Sequence, residues 1–169
     1  LLGEMRESFQ VFTGYTPSFG SYDEGIYEMA ITRAAIDAIA RHFSKLKPEV
    51  IGPENPANPK LKRMLQFKPN ELQTTSQFLY KLATVLMVNN NAIIYPILTN
   101  DAQVVGYKVL DHHNFEVVYW KNKLFFKYTE DNTIKYIEFE KVGVVNRHMN
   151  LGSVFGDDNR ALHSTMQLI

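Results

Sequence analysis

The sequence predicts an α+β fold, with N-terminal helices packed on an antiparallel β meander. Apolar residues before about position 90 recur with the 3.6-residue period of a helix. Those after 91 alternate with a period of two, in short runs divided by polar turns. Helices first and strands second argue against a doubly wound sheet, in which the two would alternate.

Residues 1–24 hold no sustained period and are rich in Gly, Ser, Thr, Pro and aromatics. They predict an irregular arm whose Phe9, Phe12, Tyr15 and Phe19 dock on an apolar surface; so many aromatics argue against the alternative, a loosely held terminus. Residues 25–169 form one α+β domain, with helices over 25–90, strands over 91–147, and a loop and helix start over 148–169.

The first helix is expected from Gly25 to Leu46, with Ile36, Ile39, Phe43 and Leu46 on its apolar face. Its alanines allow close approach of a neighbour, and Pro48 ends it. The loop around Pro53, Pro56 and Pro59 follows, with Asn58 and Pro59 as cap and first residue of a short helix. That helix, to about Phe67, would bury Leu61, Met64 and Leu65 before Lys68-Pro69-Asn70 breaks it. Thr74 or Thr75 caps the next helix, which runs to about Val88. Its stripe of Phe78, Leu79, Leu82, Val85, Leu86 and Met87 is broad enough to bury most of its circumference.

Strands are expected at Ala92–Leu98, Val104–Leu110, Phe115–Trp120, Leu124–Thr129, Ile134–Phe139 and Val142–Asn146. Pro96 assigns the first of them to an edge or a bulge. The short polar connections at Lys121-Asn122-Lys123 and Glu130-Asp131-Asn132 mean hairpins. A Gly/Asn/Asp-rich loop, 150–159, leads into the helical pattern from Arg160.

Little in the chain points to bond chemistry. Asp111-His112-His113 matches the DHH signature of metal-dependent phosphoesterases, which need further Asp and His clusters to hold two metals. Asp157-Asp158 has no histidine beside it, and Asp111 stands where a turn is expected. His42 is expected as a packing histidine on the apolar helix face, while His148 and His163 stand alone. Gly14 to Gly20 lacks the Lys-Ser/Thr of a phosphate loop, and the glycines around Ser153 do not form a nucleophile elbow. Lysines and aromatics interleave between Tyr107 and Lys141, a pattern single-strand nucleic-acid platforms share. Nearby Glu116, Glu130, Asp131, Glu138 and Glu140 neutralise them, so an aromatic core face with a solvated lysine face is the preferred reading.

Eighteen Lys+Arg balance eighteen Asp+Glu, without the basic excess of a free-standing nucleic-acid binder. The 169 residues suit one domain, and the lack of cysteine excludes disulfides and thiolate metal sites within them. No apolar run reaches the roughly 20 residues that span a bilayer. The chain opens at Leu1-Leu2-Gly3 and closes inside a helical pattern, so it is expected to be part of a longer polypeptide.

Several short motifs fall in a recognisable order. An Ala/Ile-rich helix, Met29 to Ala40, precedes a turn at Met64-Leu65-Gln66-Phe67-Lys68-Pro69-Asn70. A helix with Phe78, Leu79 and Leu82 then reaches a corner at Asn90-Asn91-Ala92-Ile93, and Gly156-Asp157-Asp158 precedes the last helix. Over about 26–169 this order resembles the siphovirus-type phage portal protein family, the head–tail connectors of tailed bacteriophages. Asn90 replaces the family's usual glycine, and Asn accepts left-handed φ better than other side chains. Ile93 replaces a tyrosine, and Asp111-His112-His113 replaces a proline turn.

The resemblance implies a structural, non-enzymatic subunit of a dodecameric homo-oligomeric ring at one capsid vertex. The ring would be the conduit for DNA packaging and ejection and the place of head–tail joining. It implies as partners the capsid protein, terminase, head–tail adaptor proteins and passing double-stranded DNA that is not tightly held. It implies no membrane partner and no cofactor, and residence in the virion after assembly in the host cytoplasm. The chain would be the wing region, without the family's stem, clip and crown, so no DNA-contacting residue is carried over. Another ring-forming virion module and the phosphoesterase remain as alternatives. A neutral wing suits a conduit, because strong phosphate contacts would hold the DNA in place.

Overall fold

The computed structural model describes residues 10–11, 30–51, 59–101, 103–110, 115–130, 133–149 and 155–156. Helices α1 (Ala30–Phe43), α2 (Pro59–Phe67) and α3 (Thr75–Asn89) follow a short strand β1 (Gln10–Val11). Strands β2 (Asn91–Leu98), β3 (Val104–Leu110), β4 (Phe115–Trp120), β5 (Lys123–Glu130), β6 (Thr133–Glu138) and β7 (Gly143–Asn146) complete the α+β arrangement. A 3-10 turn, Phe139–Lys141, joins the last two strands.

α1 packs on α3 through a face that keeps Ile36 and Phe43 of the expected stripe but is turned towards Thr32 and Ala40. Thr32, Ile36 and Ala40 are buried and Phe43 is partly buried, whereas Ile39 and Leu46 are exposed. The small Ala40, fully buried, lets the helix axes approach closely; a contact line through the bulkier Ile39 would hold them apart. His42 is exposed, so it is not a packing histidine. The helix stops at Phe43, before Pro48 can act. Its last turns tighten, with Lys45 N–H donating to His42 O (3.2 Å) and Leu46 N–H to Phe43 O (3.1 Å). The expected first turn, residues 25–29, lies outside the described residues.

Leu61, Met64 and Leu65 of α2 are half-buried rather than buried. Thr74 caps α3 through a capping box: its Oγ1 accepts from Gln77 N–H (3.4 Å), and its own N–H donates to Gln77 Oε1 (2.8 Å). Thr75 Oγ1 donates to Leu65 O (2.8 Å), tying the end of α2 to the start of α3. α3 buries one stripe, Thr75, Phe78, Leu79, Leu82 and Ala83, while Val85, Leu86 and Met87 are half-buried. No residue from Phe78 to Asn89 is exposed, so most of the circumference is at least half covered as expected, by the sheet on one side and by α1 on another.

The strands sort into two antiparallel sheets, ordered β1-β4-β5-β6 and β3-β2-β7. β2 is thus central, not an edge strand. Pro96 is tolerated because its missing N–H points towards β7, which ends with Gly143 opposite Ile94, short of the proline. A register shift at Ile97/Leu98 supplies the irregularity the proline suggests. The three-stranded sheet lies between the helices and the four-stranded sheet. Ala92 and Val109 face α3 with Phe78, Leu79 and Leu82. Ile93 and Leu110 face the other sheet, meeting Val117, Phe126, Tyr128 and Ile137. Covering both faces explains the unbroken apolar run at the start of β2. Each fully buried large side chain, such as Ile93 or Phe126, contributes about 1.5–3 kcal/mol.

The β4–β5 hairpin closes with a two-residue turn in which Lys121 (φ 46°) and Asn122 (φ 62°) are both left-handed. The expected division into an aromatic core face and a lysine face holds only in part. Leu124, Phe126 and Tyr128 face the core between the sheets, but Phe125 on the lysine side is buried too. It meets the Trp120 ring edge-on with centroids 5.9 Å apart.

Candidate functional site

Two arrangements distinguish this fold: a locked corner after α3, and a plugged edge on β3. The corner begins with Asn90, the C-cap of α3, at φ 55° and ψ 1°. That left-handed turn reverses the chain from helix into β2. Asn90 O accepts from Arg147 N–H (2.9 Å), holding the end of β7 against the turn. Asn91 is buried, and its side-chain amide grips one backbone residue from both sides. Gly156 N–H donates to Asn91 Oδ1 (2.6 Å), and Asn91 Nδ2 donates to Gly156 O (3.1 Å). Gly156 is required by space: a Cβ there would lie 2.6 Å from Asn90 O and collide with Arg147 O. The Arg147 guanidinium is held by Met87 Sδ (2.6 Å) and by His148 Nε2 (2.8 Å). One asparagine thus fixes where the chain lies after the last sheet strand.

The second arrangement is the Lys68-Pro69-Asn70 turn. Tyr107 N–H on the outer edge of β3 donates to Pro69 O (2.8 Å), and Asn70 Nδ2 donates to Tyr107 O (2.9 Å). Asn70 also contacts Gln73 Oε1 (3.0 Å) and accepts from Leu72 N–H (3.0 Å). The turn so occupies the groups with which another strand would pair at Tyr107, a common protection of sheet edges. Gly106 permits the approach, since a Cβ there would stand 2.8 Å from Pro69 O. Its place inside a strand was a signal for such an approach.

Around this turn lie two hollows of about 550 and 560 Å³ that share Val105. Their cationic lining is Lys60, Arg63 and Lys68 on the α2 side, Lys81 from α3 and Lys108 from β3. Glu71 is the one carboxylate among those lining residues. Phe67, Leu72 and Val105 are exposed there at 68%, 91% and 45%.

Elsewhere the charges are paired locally. The Tyr80 hydroxyl donates to Asp37 Oδ1 (2.6 Å) and Arg41 lies 2.7 Å from Asp37 Oδ2; these bonds hold the Asp37 carboxyl below its ordinary pKa. Lys141, with help from Lys123, does the same for Glu138. Lys127 Nζ meets Glu116 Oε2 at 2.6 Å. Lys121 stands over the Trp120 ring at 4.4 Å, and at the hollow itself Lys108 stands over Tyr95 at 5.4 Å. The interleaved lysines and aromatics of the sheet therefore include internal partners for each other.

Phe9, Phe12, Tyr15 and Phe19 lie outside the described residues, but their neighbours Gln10 and Val11 add β1 to β4, opposite Tyr119 and Val118. Asp111, His112, His113, Ser153, Asp157, Asp158 and His163 also lie outside them. Among the described residues no cluster of three or more His, Asp or Glu side chains could hold a metal ion. The sequence reading found the Asn90 turn and the Pro69 turn. It missed the Asn91–Gly156 clasp, for which a glycine in a polar loop is no distinctive signal.

The chain resembles solved structures of GTA (gene transfer agent) particles. It aligns with a chain of the neck of a native GTA particle computed with C12 symmetry, at a TM-score of 0.68 and 11% identity, over 97% of this chain and 44% of that one. A chain in the virion of a native GTA particle aligns at 0.67 and 11%, over 99% and 44%. One in the neck of an empty GTA particle computed with C6 symmetry aligns at 0.65 and 12%, over 92% and 43%. This chain spans less than half the length of each. At these identities the likeness shows a shared fold. No curated protein matches the sequence. The model of the family described as phage portal protein matches residues 30–164, which is most of the chain, and the chain therefore belongs to the phage portal protein family.

Proposed function

We propose that this chain is the wing region of a subunit of a portal ring, a structural part of a virion that forms the conduit for DNA at a capsid vertex and the joint between head and tail. The observation that carries the reading is the family match over residues 30–164. Shared fold with chains from necks computed with sixfold and twelvefold symmetry supports a closed homo-oligomeric ring. The formal charge of zero supports a body past which DNA moves without tight capture. The corner and the plugged edge fit such a part, because both rigidify the fold. Capsid protein, terminase and adaptor are the partners this reading supplies. Phe9, Phe12, Tyr15 and Phe19 are proposed as apolar contacts to an adjacent subunit, carried there by the arm that contains β1.

The test is native mass spectrometry and electron microscopy of the full-length protein. A closed ring, twelvefold in this reading, is expected. A protein that stays monomeric at every concentration would overturn it. Removing residues 1–24 should weaken ring closure; unchanged assembly would reject the arm's part in it.

A further inference from the structure

The exposed apolar residues beside the Pro69 turn lie among cations. Phe67, Leu72 and Val105 border the two hollows, and among the described residues Lys60, Arg63, Lys68, Lys81 and Lys108 line them with one carboxylate, Glu71. Among the described lining residues cations outnumber carboxylates five to one, in a chain whose formal charge is zero. Exposed apolar side chains grouped with charges of one sign mark a protein-binding surface. Arg63 and Lys68 make no ion pair among the described residues. Phosphate groups are the poorer match, because they would leave Phe67, Leu72 and Val105 uncovered and would meet Glu71.

The matching chemistry is an acidic segment with apolar anchors, and this chain contains one. Between Arg6 and Arg33 there is no Lys or Arg, and residues 19–29 hold Asp23, Glu24 and Glu28 among Phe19, Tyr22, Ile26 and Tyr27. We infer that the basic hollow between α2 and β3 receives the acidic, aromatic segment 19–29 of a second copy of this chain. Carboxylates would meet the cationic rim and an aromatic side chain would cover Phe67 and Leu72. Such a contact is heterologous: a segment of one subunit meets a different surface of the next, as a closed ring requires. The inference rests on the ring proposed above. It specifies which surface and which segment meet. Complementary charges would also fix the register between subunits and speed their encounter.

The experiment mixes full-length subunits labelled with nitrogen-14 and nitrogen-15, lets them assemble, and joins adjacent amines and carboxyls with a zero-length carbodiimide. Mass spectrometry then reads which lysines are joined to Asp23, Glu24 or Glu28. Mixed-isotope links from Lys60, Lys68 or Lys81 are expected. Ring assembly is read separately, by native mass spectrometry. Closed rings with no such links would overturn the inference and leave the ring standing; links of one isotope only would place the segment on its own subunit and also overturn it. Absence of rings would overturn both. Reversing Arg63→Glu and Lys68→Glu together should raise the concentration for half-assembly about tenfold, the scale of two exposed ion pairs. Adding Asp23→Lys and Glu24→Lys should restore it. No shift on reversal would refute the charge pairing. Capture of a short DNA duplex by the unassembled protein, lost in the same double reversal, would assign the surface to nucleic acid instead.

Discussion

Replacing Gly106 by alanine tests whether the Pro69 turn is docked as described. The new Cβ would lie 2.8 Å from Pro69 O, 3.3 Å from Ile97 Cδ1 and 3.6 Å from Asn70 Cα. Ordinary contact begins at about 3.4 Å, so turn and strand must separate by roughly half an ångström. That separation strains the Tyr107 N–H to Pro69 O and Asn70 Nδ2 to Tyr107 O bonds, which are 2.8 and 2.9 Å long. Each bond contributes about 1 kcal/mol net, and overpacking adds about 1–3 kcal/mol. Gly106→Ala should therefore destabilise the chain by about 2–4 kcal/mol, which at this size lowers the melting temperature by roughly 5–15 °C. Urea and thermal unfolding followed by circular dichroism measure it. Asn70→Ala should cost about 1–3 kcal/mol alone, yet less in the Gly106→Ala background, since the bond it removes is already weakened there. An unchanged midpoint for Gly106→Ala, or strict additivity of the two substitutions, would refute the docking argument.

Three further outcomes follow from the fold. Leu82→Asp places a carboxylate in the α3–sheet core, where Leu82 is buried, and should remove about 4–5 kcal/mol or more; a cooperative melt at the parent temperature would show that α3 presents a different face. Lys121→Asn with Asn122→Gly gives the left-handed hairpin turn its preferred residues and should raise stability by about 0.5–2 kcal/mol in the same unfolding assay. Because Tyr80 and Arg41 lower the Asp37 pKa, its contribution is present above the unfolded aspartate value and fades as pH falls through the lowered folded value. Tyr80→Phe should move the Asp37 titration upward by carbon-detected NMR and shrink that acid-range contribution; an unmoved titration would remove Tyr80 as the cause.

The local rules written into the sequence determined most of the elements. Thr74 with Gln77 set the start of α3, Asn90 took the left-handed turn that ends it, and period-two runs marked the strands within about a residue at each end. These features depend on neighbours in the chain, and single residues carry them. Which face each helix buries was not legible in the same way. Ile39 is more apolar than Ala40, yet Ala40 is the buried one, because axis separation, a property of two helices, selects the smaller residue. Nor could spacing show that β2 is central, that the strands divide into two sheets, or that Asn91 holds Gly156 from 65 residues away. Hydrophobic patterning is one-dimensional and fixes which residues seek cover. What covers them depends on distances in space, and only the assembled tertiary structure decides those.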